Sequence, residues 1–180
     1  ANDVIFRETR LKGAFVIEIQ CLEDERGFFG RLFCRREFIE RGLNADVAQC
    51  SISFNRKAGT LRGMHYQEEP YAEDKVVRCT RGGLYDVILD LRPDSQTCGQ
   101  WTAVELTGDN RRMLYIPKGF AHGFQTLTDD TEVVYQMSEF YHPECARGVR
   151  WNDPAFGIQW PAPDRAILSE KDRDWPDYAK

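Results

Sequence analysis

Short runs of alternating hydrophobic and polar residues make up most of the chain, and they are rich in Val, Ile, Phe and Tyr. This pattern is typical of half-buried β-strands. The runs span residues 13–21, 28–33, 47–54, 61–67, 75–79, 83–91, 101–106, 112–116, 123–127 and 132–138. Residues 35–41 favour a short helix, which Gly42 would end. Many short strands with almost no helix predict an all-β fold, either a sandwich or a barrel.

The 180 residues favour a single domain over residues 1–180, since this length is enough to bury a hydrophobic core. No linker or low-complexity segment divides the chain. The tail, about residues 151–180, is rich in Trp and Pro and is too aromatic to suggest disorder. We therefore expect the tail to pack on the sandwich.

Composition excludes several classes of partner. The net charge is −5, so we expect no nucleic-acid and no anionic-membrane partner, and an anionic ligand would need a local cluster of Arg and Lys. No apolar run approaches the roughly 20 residues of a membrane span, and no signal peptide is recognisable. The six cysteines are scattered without a Cys-x-x-Cys pair, which predicts reduced thiols in a cytoplasmic protein.

Residues 59–67, Gly-Thr-Leu-Arg-Gly-Met-His-Tyr-Gln, place Arg62 and His65 three positions apart in a predicted strand. Strict alternation would put these two side chains on opposite faces. A β-bulge at Gly63 would bring them to the same face, and Gly within a strand often marks a bulge. Taken alone, the stretch also fits an ordinary strand with one half-buried His and one surface Arg.

Residues 117–124 contain the spacing Pro-x-Gly-x-x-His, which ends at His122 and resembles the second motif of cupin barrels. We therefore expect His65 and His122 to face one interior cavity. In metal cupins the first motif supplies two His one residue apart, but His65 is followed by Tyr66 and Gln67. With only three His in the chain, this departure argues against a metal site.

A longer set of motifs occurs in order along the chain. It comprises residues 26–29 (Arg-Gly-Phe-Phe), 59–67, 75–78 (Lys-Val-Val-Arg), 85–87 (Tyr-Asp-Val), 90–92 (Asp-Leu-Arg), 116–124, 151–154 (Trp-Asn-Asp-Pro) and 168–172 (Leu-Ser-Glu-Lys-Asp). Together these motifs resemble the dTDP-4-dehydrorhamnose 3,5-epimerase family over about residues 13–176. The resemblance implies a cupin-like jelly-roll core with a few short helices, a homodimer, no metal and no cofactor. The implied substrate is a nucleotide-linked 4-keto-6-deoxy sugar.

The resemblance also implies catalytic roles. His65 would be the base, and Asp172 would orient its ring and stabilise the imidazolium. Tyr135 would deliver a proton to the opposite face of the sugar, and Lys75 would stabilise the enolate oxygen. The chemistry fits these residues, because a 4-keto group acidifies the hydrogens on C3 and C5 enough for a neutral His to remove one.

Further positions match substrate-contact positions of the family, where Arg and Lys suit a pyrophosphate and Tyr141 would stack on the thymine ring. These positions are Arg26, Arg31, Gln49, Ser51, Arg62, His122, Tyr141 and Lys171.

Three of the contact positions depart from the usual family pattern. Arg31 stands where a Glu is common, Ser51 where an Asn is common, and Ala146 where a Glu is common, although Glu144 lies close by. None of these changes falls on a predicted catalytic residue, so the reaction type is better specified than the nucleotide or the sugar.

Several interpretations stay open on this basis. The implied reaction converts dTDP-4-dehydro-6-deoxyglucose to dTDP-4-dehydrorhamnose. The alternatives are a single-centre epimerase or a 3,4-ketoisomerase on a related nucleotide sugar, a cupin that binds such a sugar without turning it over, and a metal-dependent cupin enzyme. The missing His-x-His pair disfavours the last of these.

Overall fold

The structure is a computed structural model that describes residues 3–178. Within these residues thirteen strands and two short α-helices are present. The strands are β1 Val4–Glu8, β2 Phe15–Ile19, β3 Leu22–Asp24, β4 Gly27–Phe29, β5 Gln49–Asn55, β6 Leu61–Gln67, β7 Lys75–Arg81, β8 Gly83–Asp90, β9 Trp101–Thr107, β10 Met113–Ile116, β11 Phe120–Thr126, β12 Thr131–Met137 and β13 Ala146–Gly148. The α-helices are α1 Arg35–Glu40 and α2 Glu170–Arg173, and Pro143–Cys145 and Pro163–Arg165 form single 3₁₀ turns.

The strands form two antiparallel sheets that face each other. One sheet has the order β1-β2-β10-β7-β12-β5, and the other has the order β13-β6-β11-β8-β9. Strands β3 and β4 form a separate hairpin. The predicted all-β, cupin-like sandwich with a few short helices is confirmed.

Most predicted strands are present with ends that differ by a few residues. The sequence pattern does not predict strands β1, β3 and β13. Strands β3 and β13 have only three residues each, and β1 lacks a clear alternation and gains its order from pairing with β2. The prediction of extended structure over 28–33 is too long, since β4 ends at Phe29 and its only partner is the three-residue β3. Helix α1 matches its prediction, and Gly42 follows it with φ +72°.

A hydrophobic core fills the space between the two sheets, with alternate residues of each strand pointing inward. Its members come from both sheets and are Leu11, Ala14, Val77, Cys79, Leu84, Ile88, Leu106, Leu114, Ile116, Phe120, Phe124 and Val133. This core rigidly fixes the strands that carry the polar residues described below.

Both outer faces of the sandwich are covered in part. Helix α1 places Phe38 against the six-stranded sheet, where it contacts the rings of Phe33 and Tyr115. The tail places Phe156 and Trp160 against the outer face of the five-stranded sheet. Among residues 3–178, the structure contains no helix of the length and hydropathy that crossing a membrane requires.

The pairing of β6 with β11 contains one extra residue in β6. His122 lies opposite His65, whereas Phe124 lies opposite Arg62, so three steps along β6 match two steps along β11. The shift is a β-bulge at Gly63, as the sequence predicts. As a result, the side chains of Arg62 and His65 both point into the sandwich.

The outward-facing residues of β6 show the same shift. Leu61 and Met64 are three positions apart, yet both pack with Phe156 and Trp160 of the tail on the outer face of the five-stranded sheet. At the bulge Gly63 has φ +130°, and a Cβ atom there would lie 2.5 Å from the Cα of Gly123 and 2.9 Å from the carbonyl oxygen of His122. Two glycines are therefore needed for β6 and β11 to approach this closely.

We predict that Gly63→Ala lowers the free energy of unfolding by roughly 3 kcal/mol or more, because the new methyl group collides with the β11 backbone and the positive φ disfavours Ala. Urea denaturation measures the loss. Gly27→Ala is the matched control, since Gly27 has the same φ of +130° but no atom within 4 Å of an added Cβ. Equal losses in the two variants would show that the close approach is unimportant.

Candidate active site

A cavity of about 350 Å³ opens between the two sheets at the end where β5, β6, β7 and β12 meet the tail. Its lining residues are Gln49, Ser51, His65, Tyr66, Gln67, Glu73, Lys75, Tyr135, Met137, Tyr141, Ala146, Arg147, Lys171 and Trp175. This size and this mixture of aromatic, charged and amide groups suit a small-molecule ligand. The cavity collects most of the predicted site residues.

His65 and Asp172 form a short hydrogen bond at the cavity wall, with 2.6 Å between His65 Nε2 and Asp172 Oδ1. Asp172 is a carboxylate acceptor, so Nε2 carries the hydrogen and Nδ1 is the nitrogen that can take up a proton. The His65 side chain is 46% exposed and the Asp172 side chain only 8%. The ring therefore reaches the cavity while its partner stays buried.

Asp172 is held in place by its own short helix and by two donors. Ser169 caps α2 by accepting a hydrogen bond from the Asp172 backbone N–H. The carboxylate accepts from the Gly63 N–H at 3.2 Å and from the Trp175 indole at 3.3 Å. The Gly63 bond ties the dyad to the bulge of β6.

Burial alone would raise the pKa of Asp172, but the hydrogen bond and charge of His65 outweigh it, together with the donors Gly63 and Trp175, and the pKa is lowered. The carboxylate is therefore ionised at neutral pH. Its contribution to stability is complete above about pH 4 and is lost as the pH falls through the lowered pKa of the folded state.

Tyr135 lies on β12, in the sheet opposite His65, and its hydroxyl is 3.0 Å from Ser53 Oγ on β5. Burial, together with the charge of Asp86, raises the pKa of Tyr135 to about 12. The Ser53 hydrogen bond and the charge of Arg62 oppose this rise. The phenol therefore keeps its proton at neutral pH, as a general acid must.

His122 and Arg62 lie on the five-stranded sheet and face Tyr135 on the opposite sheet. His122 is buried with its ring centre 6.4 Å from that of Tyr135, and its Nε2 is 2.6 Å from Asp86 Oδ1. Burial raises the pKa of Asp86, against the opposing effect of His122 and Lys75. His122 thus faces the same inner side of the sheet as His65, but it is buried more deeply and is not among the residues that line the cavity.

The cavity contains several charged groups. Lys75 and Glu73 pair at 3.4 Å with both side chains largely buried. Arg147 and Lys171 lie at the rim; Arg147 pairs with Glu68 at 2.7 Å, and the Lys171 ammonium lies over the Trp175 ring. Three cations against one cavity carboxylate favour an anionic ligand despite the negative net charge of the chain.

Tyr141, at the cavity mouth, has an exposed ring that is free to stack on a planar group. Its backbone N–H donates to Gln49 Oε1 at 2.8 Å. Gln49 and Ser51 share the inward face of β5 and also line the cavity. Gln49 therefore positions Tyr141 as well as facing the ligand space.

Four predicted contacts are not among the residues that line the cavity: Arg62 and His122 lie near Tyr135, whereas Arg26 and Arg31 lie on other parts of the surface of their own chain. Arg26 is exposed in the β3–β4 hairpin, where it pairs with Asp24 at 2.5 Å. Arg31 lines a separate groove beside α1 and is 3.7 Å from Glu37. The fold does not bring either of them to the cavity of the same chain.

The comparisons with known proteins agree over nearly the whole chain. Residues 8–180 match the family model described as dTDP-4-dehydrorhamnose 3,5-epimerase. The chain belongs to this family. A relative with this name from Methanothermobacter thermautotrophicus is 46% identical over 172 residues, which cover 94% of this chain and 92% of that protein. The family predicted from the motifs is confirmed, and the protein is an isomerase.

Solved structures of family members are similar throughout. The epimerase from Bacillus anthracis, with TDP and PPi bound, has a TM-score of 0.93 and 40% identity, covering 98% of this chain and 100% of that one. A 3'-monoepimerase from Streptomyces bikiniensis, in complex with dTDP-quinovose, has a TM-score of 0.87 and 33% identity, covering 94% of this chain and 85% of that one. The fold of this epimerase family therefore accommodates both double-centre and single-centre enzymes.

Sequence reasoning missed Glu73, Arg147 and Trp175, which all line the cavity. Trp175 follows Lys171 by four residues, a spacing that would have placed both on one face of a helical turn. Glu73 lies in a predicted loop and Arg147 on the three-residue β13, so no periodic pattern marks them. Within residues 3–178, no three His, Cys, Asp or Glu side chains are grouped as a metal site requires.

We predict that Asp172→Asn lowers turnover of a 4-keto sugar nucleotide by about 100-fold or more, since a neutral amide does not stabilise the imidazolium of His65. Initial rates on dTDP-4-dehydro-6-deoxyglucose measure the effect. Asp174→Asn, an exposed position two residues along the chain, is the control and should keep the wild-type rate. An Asp172→Asn variant with unchanged turnover would contradict the dyad.

Proposed function

We propose that the protein inverts C3 and C5 of dTDP-4-dehydro-6-deoxyglucose and so forms dTDP-4-dehydrorhamnose. The observation that carries the proposal is the cavity between the sheets, with His65 on one sheet, paired with Asp172 of helix α2, and Tyr135 on the other sheet. A sugar ring held between them would present one face to a base and the opposite face to an acid. Inversion of a carbon centre requires that arrangement.

In the first step His65 removes a proton from the carbon next to the 4-keto group. The C–H electron pair moves to form an enolate, and His65 becomes an imidazolium that Asp172 stabilises through the 2.6 Å hydrogen bond. The position of Lys75 in the cavity supports a role at the enolate oxygen, where a fixed cation lowers the barrier most.

In the second step Tyr135 gives its hydroxyl proton to the other face of the same carbon. The enolate pair forms the new C–H bond, the 4-keto group returns and a tyrosinate remains. Solvent then returns both residues to their starting protonation states: the His65 imidazolium loses a proton to water, and the Tyr135 tyrosinate takes one up. We infer the same cycle for the second carbon. The reaction needs no metal and no cofactor, which stays a prediction that metal analysis of the purified protein tests.

The nucleotide end of the substrate would lie at the cavity mouth. Tyr141 is placed to stack on a thymine ring, and Lys171, assisted by Arg147, is placed to contact the diphosphate. Gln49, Ser51, Arg62 and His122 would complete the contacts. The relative with TDP bound supports this assignment, since it is 40% identical over the matched chain.

An alternative is inversion of one centre only, which the similarity to a 3'-monoepimerase favours. The departures at Ser51 and Ala146 fall on cavity-lining residues and therefore bear on how the sugar sits. Many curated relatives at about 40% identity are named 3,5-epimerases, and this supports double inversion as the first choice. A 3,4-ketoisomerase and a non-catalytic binding protein remain outcomes of the experiment below.

We further propose a cytoplasmic homodimer in which the N-terminal strands, β1 to β4, reach across to the partner. Phe29 on β4 is 70% exposed and Ile52 on edge strand β5 is 63% exposed, which is unusual for large apolar side chains on a small domain. Covering them would also protect the open edge of β5. Arg26 and Arg31, distant from their own cavity, could then contact substrate in the partner's cavity.

The mechanism predicts different behaviour of two variants in heavy water with dTDP-4-dehydro-6-deoxyglucose. His65→Asn should abolish both deuterium incorporation and inversion, because it removes the base. Tyr135→Phe should still incorporate deuterium at the original face, since His65 can form the enolate, while inversion becomes slow or absent. NMR of the recovered sugar separates the two processes.

His142→Asn is the control for the His change, because His142 stacks on Tyr71 outside the cavity lining and should leave exchange intact. Full-rate inversion by Tyr135→Phe would show that another group is the acid. Exchange without inversion in the wild-type protein would exclude an epimerase on this substrate.

The dimer proposal predicts that light scattering reports about twice the chain mass of 20.9 kDa at micromolar concentration. Phe29→Glu should shift the protein to the monomer, because a charge cannot be buried in an apolar contact without a partner. Leu127→Glu, at another exposed apolar position, should stay dimeric. A wild-type monomer at micromolar concentration would count decisively against the proposal.

A further inference from the structure

A chain of hydrogen bonds runs behind Tyr135 from one sheet to the other. Arg62 Nε donates to Asn55 Oδ1 at 2.7 Å. Asn55 Nδ2 lies 3.4 Å from Ser53 Oγ and donates to the Thr131 carbonyl at 3.0 Å. Ser53 Oγ then lies 3.0 Å from the hydroxyl of Tyr135.

The direction of this chain is fixed at its charged end. A guanidinium can only donate, so the Asn55 oxygen faces Arg62 and the Asn55 amide group faces Ser53 and the Thr131 carbonyl. The Ser53 oxygen accepts from Asn55, which leaves its own hydrogen available for the Tyr135 oxygen. Three donors therefore point the same way, from a cation towards the phenol, and each polarises the next.

We propose that Ser53 is a positioning residue for epimerisation: its hydroxyl donates to the Tyr135 oxygen, holds the phenol proton towards the cavity and stabilises the tyrosinate that forms. Asn55 and Arg62 orient Ser53 for this task. The inference rests on the proposed function, because it takes Tyr135 as the acid.

The chemistry of the step explains why such a donor is needed. When the Tyr135 proton passes to the enolate carbon, a new C–H bond forms and negative charge moves from the enolate to the Tyr135 oxygen. That charge arises in a partly buried place, and the nearby carboxylate of Asp86 opposes it. Among the groups that act on Tyr135, Ser53 and Arg62 are those that favour the charged form. Water in the open cavity later returns the proton.

The location of Ser53 predicts that its hydroxyl affects proton delivery by Tyr135 but not proton removal by His65. Ser53 lies on β5 in the same sheet as Tyr135. His65 instead pairs with Asp172, whose carboxylate accepts from Gly63 on β6 and from Trp175 in the tail. Removing the Ser53 hydroxyl should therefore impair proton delivery and leave proton removal unchanged. A merely structural role would instead lower both processes together.

The test uses dTDP-4-dehydro-6-deoxyglucose in heavy water and measures deuterium in the recovered substrate and in the inverted product. Ser53→Ala should lower the ratio of inversion to exchange by about 10- to 100-fold, the worth of one hydrogen bond to a charged group. Exchange at the original face should stay within about twofold of wild type. Ser53→Thr keeps a hydroxyl and should restore most of the ratio.

Thr80→Ala is the matched control, because Thr80 donates a hydroxyl hydrogen bond to Glu132 on the same strand as Tyr135 but outside the cavity. It should leave the ratio unchanged. A wild-type ratio in Ser53→Ala would overturn the inference, as would equal losses of exchange and inversion. If Tyr135→Phe loses inversion while Ser53→Ala keeps it, only the Ser53 role fails; if Tyr135→Phe inverts at the full rate, the assignment of the acid fails as well.

Discussion

The close approach of β6 and β11 at Gly63 and Gly123 is the constraint on which the site depends. It permits the extra residue in β6, and the extra residue turns Arg62 and His65 to the same inner face. The freed Gly63 N–H also donates to the carboxylate of Asp172. One local irregularity therefore aims the proposed base, fixes its partner and places the cation that begins the hydrogen-bond chain. A regular strand at this place would provide none of these.

Polar groups between two sheets need partners, since an unpaired buried polar group is costly. At this end of the sandwich the partners are found within and across the sheets: Asp86 on β8 binds His122 on the neighbouring strand β11, and Arg62 on β6 reaches Asn55 on β5 of the other sheet. Only one oxygen, Asp86 Oδ2, is buried without a hydrogen bond among the described side chains. The buried polar side chains therefore have nearly all their hydrogen bonds within the protein. The polar groups that line the cavity are the ones that face a ligand.

Most of the strands, the bulge at Gly63 and the family could be predicted from sequence because they depend on local periodicity and on short motifs. The roles of Glu73, Arg147 and Trp175 could not, because loops and the tail bring these residues to the cavity and no periodic signal records such contacts. The positions of Arg26 and Arg31 show a further limit. A motif match does not indicate whether the fold brings the residue to the cavity of its own chain.

The two proposed proton carriers differ in their contact with water, and this difference has a chemical reason. His65 is about half exposed, so an imidazolium formed there can pass its proton to solvent and be ready for a second carbon. Tyr135 is partly buried at the cavity wall, and its raised pKa keeps the proton on the phenol until an enolate is present. If the phenol ionised readily in water, the acid would be lost before it was needed. If the imidazole were sealed from water, its proton would return to the same face. Inversion is therefore favoured over simple return when the base can lose its proton to solvent and the acid keeps its own proton until the enolate forms, and each sheet carries one of these two groups.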